Sequence, residues 1–114
     1  MSNRRTPRFD CVIDSGSPFC LFRAGIAAYL KIDLKAGSAE TLLGVSDRIS
    51  EVVYFHRVTL GIGTWEREVT AGFAENLAFP GLLGISGFFE NFRVTFDVSG
   101  IPPHFEVTPH GEGG

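Results

Sequence analysis

The chain has 114 residues, of which 44% are hydrophobic and 20% charged, and its mean hydropathy is +0.14. This length is typical of one domain, and the apolar content is too high for a disordered chain. The 13 acidic and 10 basic residues give a net charge of −3 with no basic cluster, so nucleic acid is not expected as the main partner.

Membrane and secretory signals are missing from the sequence pattern. The longest uncharged stretch, 76–89, is interrupted by Pro80 and by glycines, so it predicts no membrane span. The first residues carry charges with no apolar run behind them, which is not typical of a signal peptide. Cys11 and Cys20 form no disulfide framework and no Cys/His spacing indicates a metal site, so we expect a soluble cytoplasmic protein with two free thiols and no metal.

Short apolar stretches separated by turn residues dominate the predicted elements. Their β-branched and aromatic residues favour strands, and the stretch 65–73 alternates apolar and polar residues as a half-buried strand does. The strands predicted in chain order are 9–13, 19–22, 41–44, 51–59, 65–73, 93–97 and 105–107.

Two segments favour helix instead. The alanine-containing stretch 23–30 predicts a short helix despite Gly25, and 88–92 predicts one helical turn. Together the elements predict an all-β, mainly antiparallel domain or small barrel. We place the domain at 9–108, with an N-terminal arm at 1–8 and a flexible tail at 109–114.

The segment with the clearest chemistry is Val12-Ile13-Asp14-Ser15-Gly16, followed by Ser17. An acid directly after an apolar strand is expected to be partly desolvated. The glycine permits a tight turn and a close backbone approach, and the two serine hydroxyls could bond the acid or a neighbouring chain. These parts suit a carboxylate held at the mouth of a cleft, although Asp-Ser-Gly is also common in plain β-turns.

The order of motifs along the chain resembles that of the retropepsin-like aspartic proteases. That family has two apolar residues before Asp-(Ser/Thr)-Gly-(Ser/Ala), then a flap hairpin, an apolar-apolar-Gly segment, a short helix and a strand ending near Asp. The corresponding segments here are 12–17, 44–49, 82–84, 88–89 and 93–97. The resemblance, which covers roughly 9–97, implies a small closed barrel in which the two motif segments cross in the core.

By this resemblance Asp14 would be the catalytic acid, Ser15 would supply the hydroxyl contact between protomers, and Gly16 would present its backbone to substrate. The chain has no second Asp-(Ser/Thr)-Gly, so two copies would have to meet as a homodimer. Two adjacent carboxyl groups share one proton, and the ionised one can activate a water for peptide hydrolysis without a covalent intermediate. No cofactor is implied.

The substrate implied by the resemblance is a polypeptide that binds as an added strand beneath the flap. Its binding residues would be Ser17 beside the acid, Leu43, Gly44 and Val45 of the flap, and Leu82 of the second motif. The apolar members would favour apolar side chains next to the cleaved bond, although a leucine such as Leu82 is more often simply a core residue.

The chain also departs from the family pattern. Pro18 and Ile85 stand where retroviral members have an interfacial ion pair, the flap lacks paired glycines, and only thirteen residues precede Asp14 where relatives have a hairpin. Two alternatives therefore stay open. The chain could be a non-catalytic peptide-binding or dimerisation module of the same fold, or an N-terminally truncated, inactive protease.

Overall fold

The structure, a computed structural model, describes residues 5–46 and 49–111. Most of the ordered elements are strands, and the α-helix is a single short one, which confirms the predicted all-β class for the described residues. The elements in chain order are β1 (Val12–Ile13), β2 (Leu21–Arg23), α1 (Ala24–Tyr29), a 3₁₀ turn (Leu34–Ala36), β3 (Ser38–Ser46), β4 (Ile49–Ile62), β5 (Trp65–Ala74), β6 (Gly81–Leu83), β7 (Phe92–Asp97) and β8 (His104–Pro109).

The strands form an open six-stranded sheet and a separate two-stranded sheet. The larger sheet has the order β1-β6-β2-β5-β4-β3, and β7 pairs with β8 alone. The β1–β6 and β2–β5 pairs are parallel, and the other pairs are antiparallel. The predicted closed barrel is therefore wrong for the described residues. Closure would require β1 to pair with β3 as well, and a strand of two residues offers too short a ladder for a continuous barrel wall.

The long antiparallel pair β4–β5 supports the middle of the sheet. β4 spans 14 residues and β5 spans 10, and their register continues without interruption from Tyr54↔Phe73 to Ile62↔Trp65. Only Gly63 and Thr64 are left for the turn, and the φ of +61° at Gly63 is one that glycine adopts without strain. This pairing extends β4 beyond the C-terminal end of the predicted 51–59, and pairing with β3 extends it at the other end, where Ser46 lies opposite Ile49.

Two apolar clusters lie on opposite faces of the sheet, because successive side chains of a strand point to opposite sides. On β2, Leu21 packs into one cluster and its neighbour Phe22 into the other. The cluster around Phe22 consists of Cys20, Phe22, Ala27, Ala71, Phe73, Leu83, Phe88 and Phe92. The cluster around Leu21 consists of Leu21, Val53, Ala74 and Leu77.

The predicted helical turn at 88–92 is a single hydrogen-bonded turn. The N–H of Phe92 donates to the carbonyl of Phe88 at 2.9 Å, and the two rings stack with their centroids 5.3 Å apart. β7 begins at Phe92 itself, which leaves no room for a longer helix. Among the described residues, no helix is long and apolar enough to cross a membrane.

Both cysteines are free thiols, as the sequence predicts. Burial is the main cause that raises the pKa of the half-buried Cys11 thiol to about 11, with smaller contributions from Cys20 and Asp10. Burial also raises the pKa of Cys20, which is fully buried. Both groups are therefore protonated, and poorly reactive, at neutral pH.

This shift predicts a loss of stability at alkaline pH. The folded chain keeps the Cys11 proton to about pH 11, whereas an unfolded thiol releases it near its ordinary value of 9.0. The folded state then binds more protons between these values, so the stabilisation present below pH 9.0 is lost as the pH rises towards 11. Denaturant unfolding should show a steeper decline of the unfolding free energy over this range in wild type than in Cys11→Ala. Parallel pH profiles would contradict the assignment.

Candidate functional site

The candidate acid lies in a tight loop directly after β1. The backbone N–H of Asp14 donates to the carbonyl of Leu83 at 2.9 Å, and the N–H of Ser17 donates to the carbonyl of Asp14 at 3.1 Å. The Gly16 N–H donates to Oδ1 of Asp14 at 2.8 Å. The carboxylate is half-buried, and this backbone donor fixes its orientation.

The serine hydroxyls do not hold the acid, contrary to one of the two roles expected for them. Oγ of Ser17 donates to the carbonyl of Phe19 at 2.8 Å and so closes the loop on itself. Ser15 lies on the exposed outer side of the loop. The contact that orients the acid comes from the Gly16 backbone instead.

The Asp14 segment, 12–17, and the apolar-apolar-Gly segment, 82–84, lie side by side; we call the latter the second motif. β1 pairs with β6 in parallel, with Val12 opposite Leu82 and Ile13 opposite Leu83. Beyond the strands, the N–H of Ile85 donates to the carbonyl of Ser17 at 2.8 Å, and a further bond of 2.9 Å joins Ser86 N–H to the carbonyl of Pro18. The second motif therefore forms the support of the Asp14 loop.

An apolar cleft of about 260 Å³ opens beside the acid. Leucines predominate in its wall, and two of them belong to the β3–β4 hairpin. Its lining consists of Asp14, Gly16, Ser17, Pro18, Phe19, Leu21, Leu42, Leu43, Leu77 and Leu82.

The structure thus brings together most of the residues predicted from the sequence. Asp14, Gly16, Ser17, Leu43 and Leu82 line this one cleft, and Leu43 is 79% exposed. Leu82, which was expected either to bind substrate or to fill the core, is half-buried in the cleft wall.

The other predicted site residues are Ser15, Gly44 and Val45. Ser15 is exposed and outside the lining. Gly44 and Val45 have backbone in β3, but their surroundings lie outside what the structure describes.

Sequence reasoning missed several wall residues, above all Leu77. It lies in the loop after β5, where no periodicity marks it, yet it is only 6% exposed. Leu42 could have been found, because it continues the apolar strand pattern next to Leu43. Phe19 and Leu21 were assigned to a strand, without any indication that they face the acid.

The loop that carries Leu77 is held from two sides. The Arg23 guanidinium donates to the carbonyls of Leu77 at 3.0 Å and Ala78 at 2.7 Å. From β4, the Glu51 carboxylate accepts the N–H of Asn76 at 2.9 Å. These contacts connect the β3–β4 hairpin and β2 to the far wall of the cleft.

The site offers one oriented carboxylate in apolar surroundings. Asp14 takes part in no ion pair among the described residues, and the same part of the chain holds no group of three His, Cys, Asp or Glu side chains suited to a metal ion. Such a carboxylate can accept or donate a proton, but a shared-proton pair needs a second acid. Comparison with known proteins found no matching family model, no matching curated protein and no matching solved structure.

Gly84 should be essential to the close approach between the end of β6 and the Asp14 loop. A Cβ at this position would meet the carbonyl oxygens of Ser17, at 2.5 Å, and of Phe19. Because both are backbone atoms, Gly84→Ala must displace the Asp14 loop, and we expect it to lower the free energy of unfolding by about 2 kcal/mol or more. Denaturant unfolding measures the loss.

The matched control is Gly25→Ala in α1, where an added Cβ meets nothing within 4 Å. Alanine favours helix, so this variant should be unchanged or more stable by up to about 1 kcal/mol. Equal effects of the two substitutions would show that Gly84 is not needed for the close approach.

Proposed function

We propose that this protein is an aspartic-type endopeptidase that acts as a homodimer. The observation that carries the proposal is the Asp14 carboxylate, oriented by the Gly16 amide and set in an apolar cleft between the β3–β4 hairpin and β6. The parallel pairing of β1 with β6 supports the proposal, because the resemblance to retropepsin-like proteases implies that these two segments come together.

The chemistry requires a second Asp14 from a partner copy. Two carboxyl groups within hydrogen-bond distance cannot both ionise, so they share a proton. The ionised one acts as general base on a water, while the protonated one polarises the carbonyl of the peptide bond. Gly16 lies exposed next to the acid, where its backbone can meet a substrate or a partner.

The cleft suits an extended peptide with apolar side chains next to the cleaved bond. Leu42 and Leu43 from the hairpin face the same space as Leu77 and Leu82. Burying one leucine-sized side chain there would contribute about 2 kcal/mol to binding. Main-chain hydrogen bonds of an added strand would supply the rest.

An exposed aromatic pair supports contact with a second copy. Phe96 of β7 and Phe105 of β8 lie directly opposite each other, with centroids 6.0 Å apart, and are 63% and 49% exposed. Exposed apolar groups that lie together often mark protein contacts.

The free thiols of Cys11 and Cys20 further support action in a reducing compartment, the cytoplasm.

The test of catalysis is cleavage of a mixed peptide library between about pH 4 and 7, a range across which a carboxyl pair is expected to lose its shared proton. Asp14→Asn keeps the shape of the side chain but removes its ionisation, and we expect the rate to fall about 10²- to 10⁴-fold. Mass spectrometry of the products gives the rate and the cleaved bonds.

Asp10→Asn is the matched control, because Asp10 is an exposed acid only four residues away. It should cleave like wild type. Equal cleavage by wild type and Asp14→Asn would refute the dyad. A folded wild-type protein that binds library peptides without cutting them would favour the alternative of a peptide-binding module.

The dimer makes a separate prediction. Phe96→Glu places a charge in the exposed aromatic pair, so it should shift the protein towards monomer and lower the cleavage rate per protomer. Sedimentation velocity measures the first effect and a dilution series of the cleavage rate the second. Tyr29→Glu, which changes a 53% exposed aromatic residue on α1, is the control. A dimer unaffected by Phe96→Glu would place the interface elsewhere.

A further inference from the structure

A second cavity, of about 270 Å³, lies next to the Asp14 cleft. The two cavities share Phe19 as a wall. Unlike the leucine-lined cleft, this one combines two aromatic rings with hydroxyl groups and one carboxylate. Its lining consists of Phe19, Ser38, Glu40, Phe55, Thr70 and Ser86.

The register of the sheet shows that the two cavities lie one after the other along β3. Ser38 lies opposite Phe55, and Glu40 lies opposite the buried Val53. Ser38, Glu40 and Leu42 are two residues apart and so share one face of the strand. Glu40 lines the second cavity and Leu42 lines the cleft, so the two spaces are separated by roughly 7 Å, two residues of extended chain.

The lining fits a long side chain that ends in a positive charge. Phe19 and Phe55 pack edge to face with centroids 4.9 Å apart, and they offer an apolar surface for a methylene chain. Glu40 is exposed at the rim, where it can meet a cation, and the Ser38 hydroxyl beside it can accept a hydrogen bond.

The charges around the cavity favour the same ligand. Glu40 forms no ion pair with another described residue. Arg57 lies next to the lining, since its Nη1 donates to Oγ1 of Thr70 at 3.1 Å. Glu68 lies 3.1 Å from this guanidinium and compensates its charge, so Glu40 is left uncompensated.

We propose that this cavity is a second side-chain subsite, which binds a lysine or arginine of an extended peptide. That residue would lie two positions from the apolar side chain in the Asp14 cleft, because alternate side chains of an extended peptide point the same way at this spacing. The inference rests on the proposed function only in taking a peptide as the ligand. It holds equally for a peptide-binding module and for a protease.

The experiment measures binding to the full-length Asp14→Asn protein, which leaves peptides uncut. The probes are fluorescein-labelled decapeptides with a central Leu-Phe pair, in which each other position carries Lys or its uncharged match Gln in turn. Fluorescence anisotropy gives the dissociation constants. At a position two residues from one of the central residues, we expect the Lys peptide to bind about threefold to fivefold tighter than its Gln match, as for a partly exposed charge pair. This preference should shrink at high salt, because salt screens the attraction.

Glu40→Gln in the same background should abolish the Lys preference, and Glu40→Lys should reverse it, so that the Gln peptide binds tighter than the Lys peptide. Glu106→Gln, which changes an exposed acid of β8, should leave it intact. The proposal is overturned if Lys and Gln bind alike at every position, if the preference survives Glu40→Gln, or if none of the peptides binds. Cleavage by wild type is measured separately. A protein that prefers Lys peptides but cuts none of them would contradict the proposed endopeptidase activity and support the proposed subsite.

Discussion

The parallel pairing of β1 with β6 is the contact on which the site depends. It joins residues about seventy positions apart through only two pairs, Val12 with Leu82 and Ile13 with Leu83. The bonds from Ile85 and Ser86 to the loop carbonyls continue it past the strand ends. The backbone at Gly84 approaches the backbone of the Asp14 loop so closely that there is no room for a Cβ. The pairing of β1 with β6 therefore holds this loop, and with it the Asp14 carboxylate, in a fixed position. The Asp-Ser-Gly segment is itself a β-turn, closed by the bond from the Ser17 N–H to the Asp14 carbonyl, and the pairing with β6 holds this turn beside the cleft.

The rest of the fold positions the residues that line the cleft beside this carboxylate. The long β4–β5 ladder carries β3 on its outer edge, and β3 contributes Leu42 and Leu43 to the cleft. On the far side, the loop with Leu77 is held by Arg23 and Glu51, each through backbone groups of the loop. A loop without regular structure is thus kept in place by side chains from two different strands. Such contacts satisfy backbone groups of the loop, including the carbonyl of the buried Leu77, and limit its motion.

The Asp14 cleft and the second cavity are neighbours that share Phe19 as a wall. The cleft beside Asp14 is apolar, whereas the space beyond Phe19 ends at the Glu40 carboxylate. A peptide that lies along β3 would therefore meet an apolar and then an acidic environment at alternate residues. In the proposed peptide complex this arrangement would favour particular side chains, whether the bound peptide is cut or only held.

Sequence reasoning predicted the elements well where the signal is local. The strand at 65–73 and the helix at 23–30 lie close to the observed β5 and α1, because alternation and helix propensity act within a few residues. It was less successful where distant pairing decides. β4 is longer than predicted because β5 continues its ladder, and the barrel stays open because β1 has too few residues to pair on both sides. Leu77 could not be predicted, since nothing near it in sequence marks it as a wall residue.

The amino-acid sequence by itself determined the all-β class, the free thiols and the acid that follows an apolar strand, since each depends on residue type and local order. Only the tertiary structure decided that Gly16, and not a serine hydroxyl, orients Asp14. It also decided that Leu82, Leu43 and Leu77 line one cleft, and that Glu40 lines a second cavity next to that cleft. The physical reason is that these contacts join segments tens of residues apart. Their geometry depends on strand order and register, which no local pattern encodes.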